Sequence, residues 1–126
     1  MHSPETLDLL RRDVLRSLHC ALPGIVETFD PETRTACIRP ALRSKAPDGS
    51  TVAYPLLRDV PVFFPGDVLF AVNPGDECLL IFADTAIDGW FETGGAVLPP
   101  SDRQHALSDA FAFVGFRSKA RQEVIP

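Results

Sequence analysis

Cysteine is scarce in this 126-residue chain and lysine scarcer still. Cys20, Cys37 and Cys78 are far apart, odd in number and in no CxxC-like spacing. That pattern argues against a zinc site. Cys37 and Cys78 fall inside apolar strand patterns, so they are expected to be buried free thiols of a protein folded in a reducing compartment. The lysines are Lys45 and Lys119 alone, and 12 Lys+Arg stand against 17 Asp+Glu for a net charge of −5. A polyanion binder normally carries a basic excess or a basic stripe. Neither is present, which argues against nucleic acid or an anionic membrane surface as the main partner. No apolar run approaches the ~20 residues of a membrane span. The N-terminal leucines are interrupted by Asp8, Arg11, Arg12 and Asp13, a pattern unlike a signal peptide.

Hydrophobic residues make up 45% of the chain, enough for one domain with a core of its own. The 12 prolines and 8 glycines are spread along it and read as punctuation between short strands. Residues 1–22 are expected to form an N-terminal amphipathic helix, capped by Ser3 with Pro4 in the first turn. Leu7, Leu10, Val14 and Leu18 make one apolar stripe at spacings of three and four. Asp8 can pair with Arg11 or Arg12, and Asp13 with Arg16. Pro23-Gly24 is expected to stop this helix. The stripe could pack on the chain's own barrel or on a neighbouring subunit, and the sequence leaves both open.

From residue 24 the apolar period changes to two. Strands are expected over Gly24–Asp30 and Arg34–Leu42, joined by a tight turn at Asp30-Pro31-Glu32-Thr33. Ala36, Ile38 and Leu42 should share a face, and Pro40 marks an edge or a bulge. Residues 43 to 53 are polar, with Pro47-Asp48-Gly49 as a loop tip. Tyr54–Phe64 is a proline-spaced extended stretch. Val68–Val72 and Glu77–Asp84, around Asn73-Pro74-Gly75-Asp76, read as a hairpin. Asp102–Asp109 could make a short helical turn, and Phe111–Phe116 a last strand. The fold class is mainly β: a small antiparallel OB-type barrel over residues 23–117, preceded by the helix and followed by a tail at 118–126.

A strand facing water on one side should alternate apolar with polar. In Glu77–Asp84, Cys78, Leu80 and Phe82 oppose Leu79, Ile81 and Ala83, so both faces are apolar. Phe111, Phe113 and Gly115 likewise oppose Ala112, Val114 and Phe116. One small barrel has one interior, so the second faces need a cover. The expected subunit interface comprises Leu7, Leu10, Val14, Leu18, Leu79, Ile81, Ala112, Val114 and Phe116.

Residues for chemistry are few. His105, Ser108 and Asp109 supply the residue types of a hydrolytic triad, but such groups usually converge from separate elements. A capped turn, with Ser101 or Asp102 as cap and Asp109 on backbone amides, explains them better. His19 suits a helix C-terminus, and His19-Cys20 point apart, which disfavours a metal. Asp84 and Asp88 read as a solvated loop, Gly94-Gly95 as a turn, and Trp90-Phe91 as a packed aromatic corner rather than a stacking platform. No enzyme activity, catalytic residue, cofactor or metal is expected.

The ordered set Ala21-Leu22-Pro23-Gly24-Ile25-Val26, Phe29-Asp30-Pro31-Glu32-Thr33, Asp59-Val60-Pro61-Val62, Gly75-Asp76-Glu77-Cys78-Leu79, Asp88-Gly89-Trp90, Gly94-Gly95 and Asp102–Phe111 resembles the N-terminal domain of membrane-piercing spike proteins of contractile-tailed phages. The resemblance runs from about residue 7 to residue 117. It implies a non-catalytic OB-type barrel that forms a homotrimer at the tip of the tail tube. There it joins baseplate hub or tail tube proteins to a β-helical needle. Such a protein belongs to the virion, in the tail baseplate, after assembly in the host cytoplasm, and touches a membrane only through the assembled spike. Some spikes end in an iron-binding H-x-H tip, which this sequence lacks. It therefore resembles the collar without the point, with the needle either supplied by another protein or cut away. The alternative function is an OB-type binding module for single-stranded nucleic acid or carbohydrate.

Overall fold

A computed structural model describes residues 3–121, the side chain of Arg16 excepted. Five strands, β1 (Ala21–Asp30), β2 (Thr35–Pro40), β5 (Leu57–Pro61), β6 (Glu77–Phe82) and β7 (Ala110–Val114), form one sheet in the order β5-β2-β1-β6-β7. Between β2 and β5 lie β3 (Arg43–Lys45) and β4 (Thr51–Ala53), a separate two-stranded ribbon. The chain divides into two units. One comprises Ala21–Ile81 and the residues from Ala110 on; the other comprises the residues up to Cys20 and Phe82–Asp109. We call the first the barrel unit and the second the helix–loop unit.

In the barrel unit the expected first turn forms: the Glu32 amide donates to Asp30 Oδ1 at 2.9 Å, and Arg34 completes the reversal at a φ of 56°. β1 then pairs antiparallel with β2 on one side and with β6 on the other. Register shifts between Val26 and Thr28, and between Ala36 and Ile38, are the irregularities that bend a strand and tighten its twist. The sheet curls into a half-barrel. Its two edges meet where Val62 bridges Ala112 in parallel and the Phe63 amide donates to the Ala112 carbonyl at 2.9 Å. The protein is thus mainly β with an N-terminal helix, consistent with a small OB-type barrel. Val26, Ile38, Cys78 and Leu80 are its most buried large side chains. Gly24 sits among them because a Cβ there would meet Ile38 Cγ2 at 2.7 Å, closer than a real contact allows.

The helix α1 spans Pro4–Ser17, five residues short of the expected end. Ser3 caps it by accepting from the Thr6 amide at 3.2 Å, and Pro4 stands in the first turn. Arg11 pairs with Asp8 at 3.3 Å. Leu18, placed by the sequence in the helical stripe, is instead its extended C-cap. Pro23-Gly24 stops nothing, because it lies inside β1. Ala21–Ile25 gain a ladder against Glu77–Ile81, and tertiary pairing overrides the local helical preference. Pro23 is tolerated because its carbonyl, accepting from Ala41, faces the β2 side, where strand pairing begins only at Gly24. No donor is lost from a ladder there.

Three further expectations fail. Val68–Val72 is not a strand, because both sides of β6 are already taken by β1 and β7. Of the expected hairpin, the second strand survives as β6 and so does the turn, closed by Asp76 N to Asn73 O at 3.0 Å and Asn73 N to Asp76 Oδ2 at 2.8 Å. Leu42 leaves the face of Ala36 and Ile38 and is exposed, since β2 ends at Pro40. The helical turn expected within Asp102–Asp109 is irregular, and a short helix α2 stands at Asp88–Thr93 instead. The loop tip at Pro47-Asp48-Gly49 is present as the end of the β3–β4 ribbon. Asp48 Oδ1 accepts there from the Ser50 amide and hydroxyl at 2.9 and 2.6 Å, and these bonds hold its carboxyl below the usual range. Among the described residues no helix is long and apolar enough to cross a membrane. The C-terminal tail expected at 118–126 is described only as far as Arg121.

Candidate functional site

Chemistry first requires convergence, and the histidine, serine and aspartate near residue 105 do not provide it. His105, held at a φ of 47°, places Nδ1 3.2 Å from the His19 carbonyl and Nε2 3.4 Å from Asp84. Asp109 is fully buried and engaged elsewhere. Its two oxygens accept from Arg103 at 3.0 Å each, and Oδ1 also accepts from the Ile87 amide at 3.2 Å. Arg103 reaches Asp88 as well, at 2.8 Å. These carboxylates, Asp109 first, push the guanidinium above its ordinary value. The set is a clamp that ties the start of α2 to the end of the loop. Sequence reasoning placed Asp109 on backbone amides but missed Arg103. No signal in the sequence marked Arg103, because the burial that obliges Asp109 to find a cation or several donors comes only with the fold.

The cysteines are free thiols: Cys20 is exposed, Cys37 half-buried and Cys78 buried. Burial pushes Cys78 up to about 11, which keeps it protonated and unreactive at neutral pH. Among the described residues no three His, Cys, Asp or Glu side chains gather as a metal site would need.

What the chain does present is apolar surface. Leu7, Leu10, Val14 and Leu18 are 38–56% exposed, and Leu9 and Leu15 are exposed beside them. Every described side chain of α1 is exposed. A 14-residue helix in water is marginal on its own and gains its stability from packing an apolar face. On β6, Cys78, Leu80 and Phe82 are buried, Leu79 is half-buried and Ile81 is exposed. The two faces of this strand therefore divide as the sequence indicated.

On β7 the assignment is corrected. Ala112, expected to face outward, is fully buried together with Ala110. It sits at the bridge to Val62, where the strands close the sheet and a methyl group fits. Ala112 cannot contribute to a subunit contact. Val114 is half-buried, while Phe116 lies past the strand and is exposed. Trp90 and Phe91 are exposed on α2 rather than packed into a corner. Sequence reasoning also passed over Val68 and Leu69, 60% and 65% exposed, and Leu98, 90% exposed. It assigned the first two to a hairpin strand and the third to an irregular loop.

Residues 22–115 match the model of the family described as phage protein Gp138 N-terminal domain. No curated protein gives a significant match to the chain.

Proposed function

Because the chain belongs to the phage protein Gp138 N-terminal domain family, we propose that it is a structural, non-catalytic component of a phage tail baseplate spike. In this reading three copies form an OB-type collar. The collar joins the tail tube or baseplate hub to a membrane-piercing needle, and the protein resides in the virion tail. The observation that carries the proposal is α1, an amphipathic helix whose described side chains are all exposed, in a chain whose barrel unit already has its own core. Burying Leu7, Leu10 and Val14 against a neighbour contributes about 1.5–3 kcal/mol per side chain. Ile81 and Phe116 add apolar surface on the barrel unit. Static light scattering at micromolar concentration tests this reading. The expected mass is about three times the 13.8 kDa of one chain. A monomer that persists at high concentration would sink it. Binding to single-stranded DNA with a steep salt slope would favour the binding-module alternative.

A further inference from the structure

The barrel unit contains two incomplete pieces of β-structure. The first is the β3–β4 ribbon, which pairs Arg43 with Ala53, Ser44 with Val52 and Lys45 with Thr51 and joins no larger sheet. An isolated two-stranded ribbon is marginal in water, and a third strand is what stabilises it. Its two outer edges carry main-chain donors and acceptors with no strand beside them among the described residues. Of its six residues only Ser44 is not exposed.

The second piece is Val68–Val72. Its composition suits a strand, yet it pairs with none. Among the described residues the main chain of Leu69–Val72 makes no backbone hydrogen bond, and the nearest ones belong to Val68 and to the Asn73–Asp76 turn. An apolar segment with open amides and carbonyls is a template for strand addition. One side of it borders a cavity of about 320 Å³ lined by Phe70, Val114 and Phe116 together with Asp76, Glu77, Arg117 and Arg121.

The ribbon is opposite in charge to the Asp67 end of the open segment, whereas at the other end Arg117 and Arg121 line the same cavity as Asp76. Arg43 and Lys45 make the β3 strand basic in a chain of net charge −5. Asp67 and Asp76 flank the open segment, which has no basic residue between them. We propose that the β3–β4 ribbon of one copy adds to the Val68–Val72 segment of the next as a third strand. The contact joins two different surfaces, so it is heterologous and closes into a ring when the rotation permits. This deepens the homo-oligomer reading above and rests on it.

Zero-length carbodiimide coupling of the native protein tests the contact, using an equal mixture of ¹⁴N- and ¹⁵N-labelled chains, with the mass in solution measured on the same sample. Lys45 is expected to link to Asp67 or Asp76 in peptides of mixed isotope, which only neighbouring copies can produce. Exchanging both ribbon charges, Arg43→Glu with Lys45→Glu, is expected to weaken assembly at least tenfold while the barrel stays folded. An intact oligomer with no mixed-isotope Lys45 link, or with unchanged assembly in the double variant, overturns this contact and leaves the homo-oligomer standing. A monomer overturns both.

Discussion

The barrel unit and the helix–loop unit of this chain are stabilised by different means. The barrel unit buries Val26, Ile38, Leu57, Val60, Cys78, Leu80 and Ala112 behind a five-stranded sheet whose edges meet. In the helix–loop unit, Phe82, Ala86 and the Asp109 carboxylate are buried, while Leu7, Leu10, Val14, Trp90, Val97 and Leu98 stand exposed. A unit held mainly by one ion-paired clamp and local hydrogen bonds has little apolar burial to stabilise it. The contrast teaches where a partner would matter most: the barrel has a core of its own, whereas every described side chain of α1 is exposed.

The largest expected break falls on the barrel. Leu80→Asp places a carboxylate at a fully buried position and should cost several kcal/mol, abolishing the cooperative thermal transition in circular dichroism. Its neighbour Ile81→Asp sharpens the comparison. Ile81 is exposed, so the fold should lose less than about 1 kcal/mol. The oligomer mass should fall while the strand signal persists. A trimer that survives Ile81→Asp would remove that face from the interface.

The next effect belongs to the other unit. Asp109→Ala leaves Arg103 and the Ile87 amide without their shared acceptor and should cost about 1–3 kcal/mol. Hydrogen exchange should speed up at Ile87 and along α2, with the amides of β1 and β2 unchanged. Equal acceleration in both units would mean that the two unfold as one.

The smallest effect concerns pH. The Ser118 amide holds Glu77 below the usual carboxylate range; desolvation, the next largest effect, opposes it, and the Ser118 hydroxyl and the charge of Arg121 add smaller lowering contributions. A lowered folded value means that its contribution is present above the unfolded value and is lost as pH falls through the folded one. The Ser118 amide should therefore lose protection only below the ordinary glutamate range. Glu77→Gln should flatten that dependence. Arg121 also donates to the Gly75 carbonyl, so part of the protection should persist in acid.

Much of the barrel was legible in the sequence because period-two burial is local information. The Asp30–Thr33 turn, the inward set Cys78, Leu80 and Phe82, and the Ser3 cap all follow from residue type and spacing. The errors share a cause. Val68–Val72 has the sequence of a strand, but β6 has only two sides and both were taken by strands distant in sequence. Residues 18–22 carry a helix-compatible pattern, yet α1 ends at Ser17 and the ladder with Glu77–Ile81 drew Ala21 and Leu22 into β1. Ala112 had the right period and the wrong face, since alternation defines two faces without naming the inner one. The candidate interface was readable as an excess of apolar residues. Arg103, which completes the buried clamp, was not, because only folding brings its guanidinium to Asp109.

By itself the sequence determined the class of fold, the position of most turns and the amphipathic character of the N-terminal segment, all of which depend on neighbours within a few residues. Tertiary structure decided which strands pair, where α1 yields to β1, and which apolar side chains the chain can cover. Those outcomes are competitions for a limited number of strand edges and for one barrel interior. The winner of such a competition depends on every other segment of the chain at once.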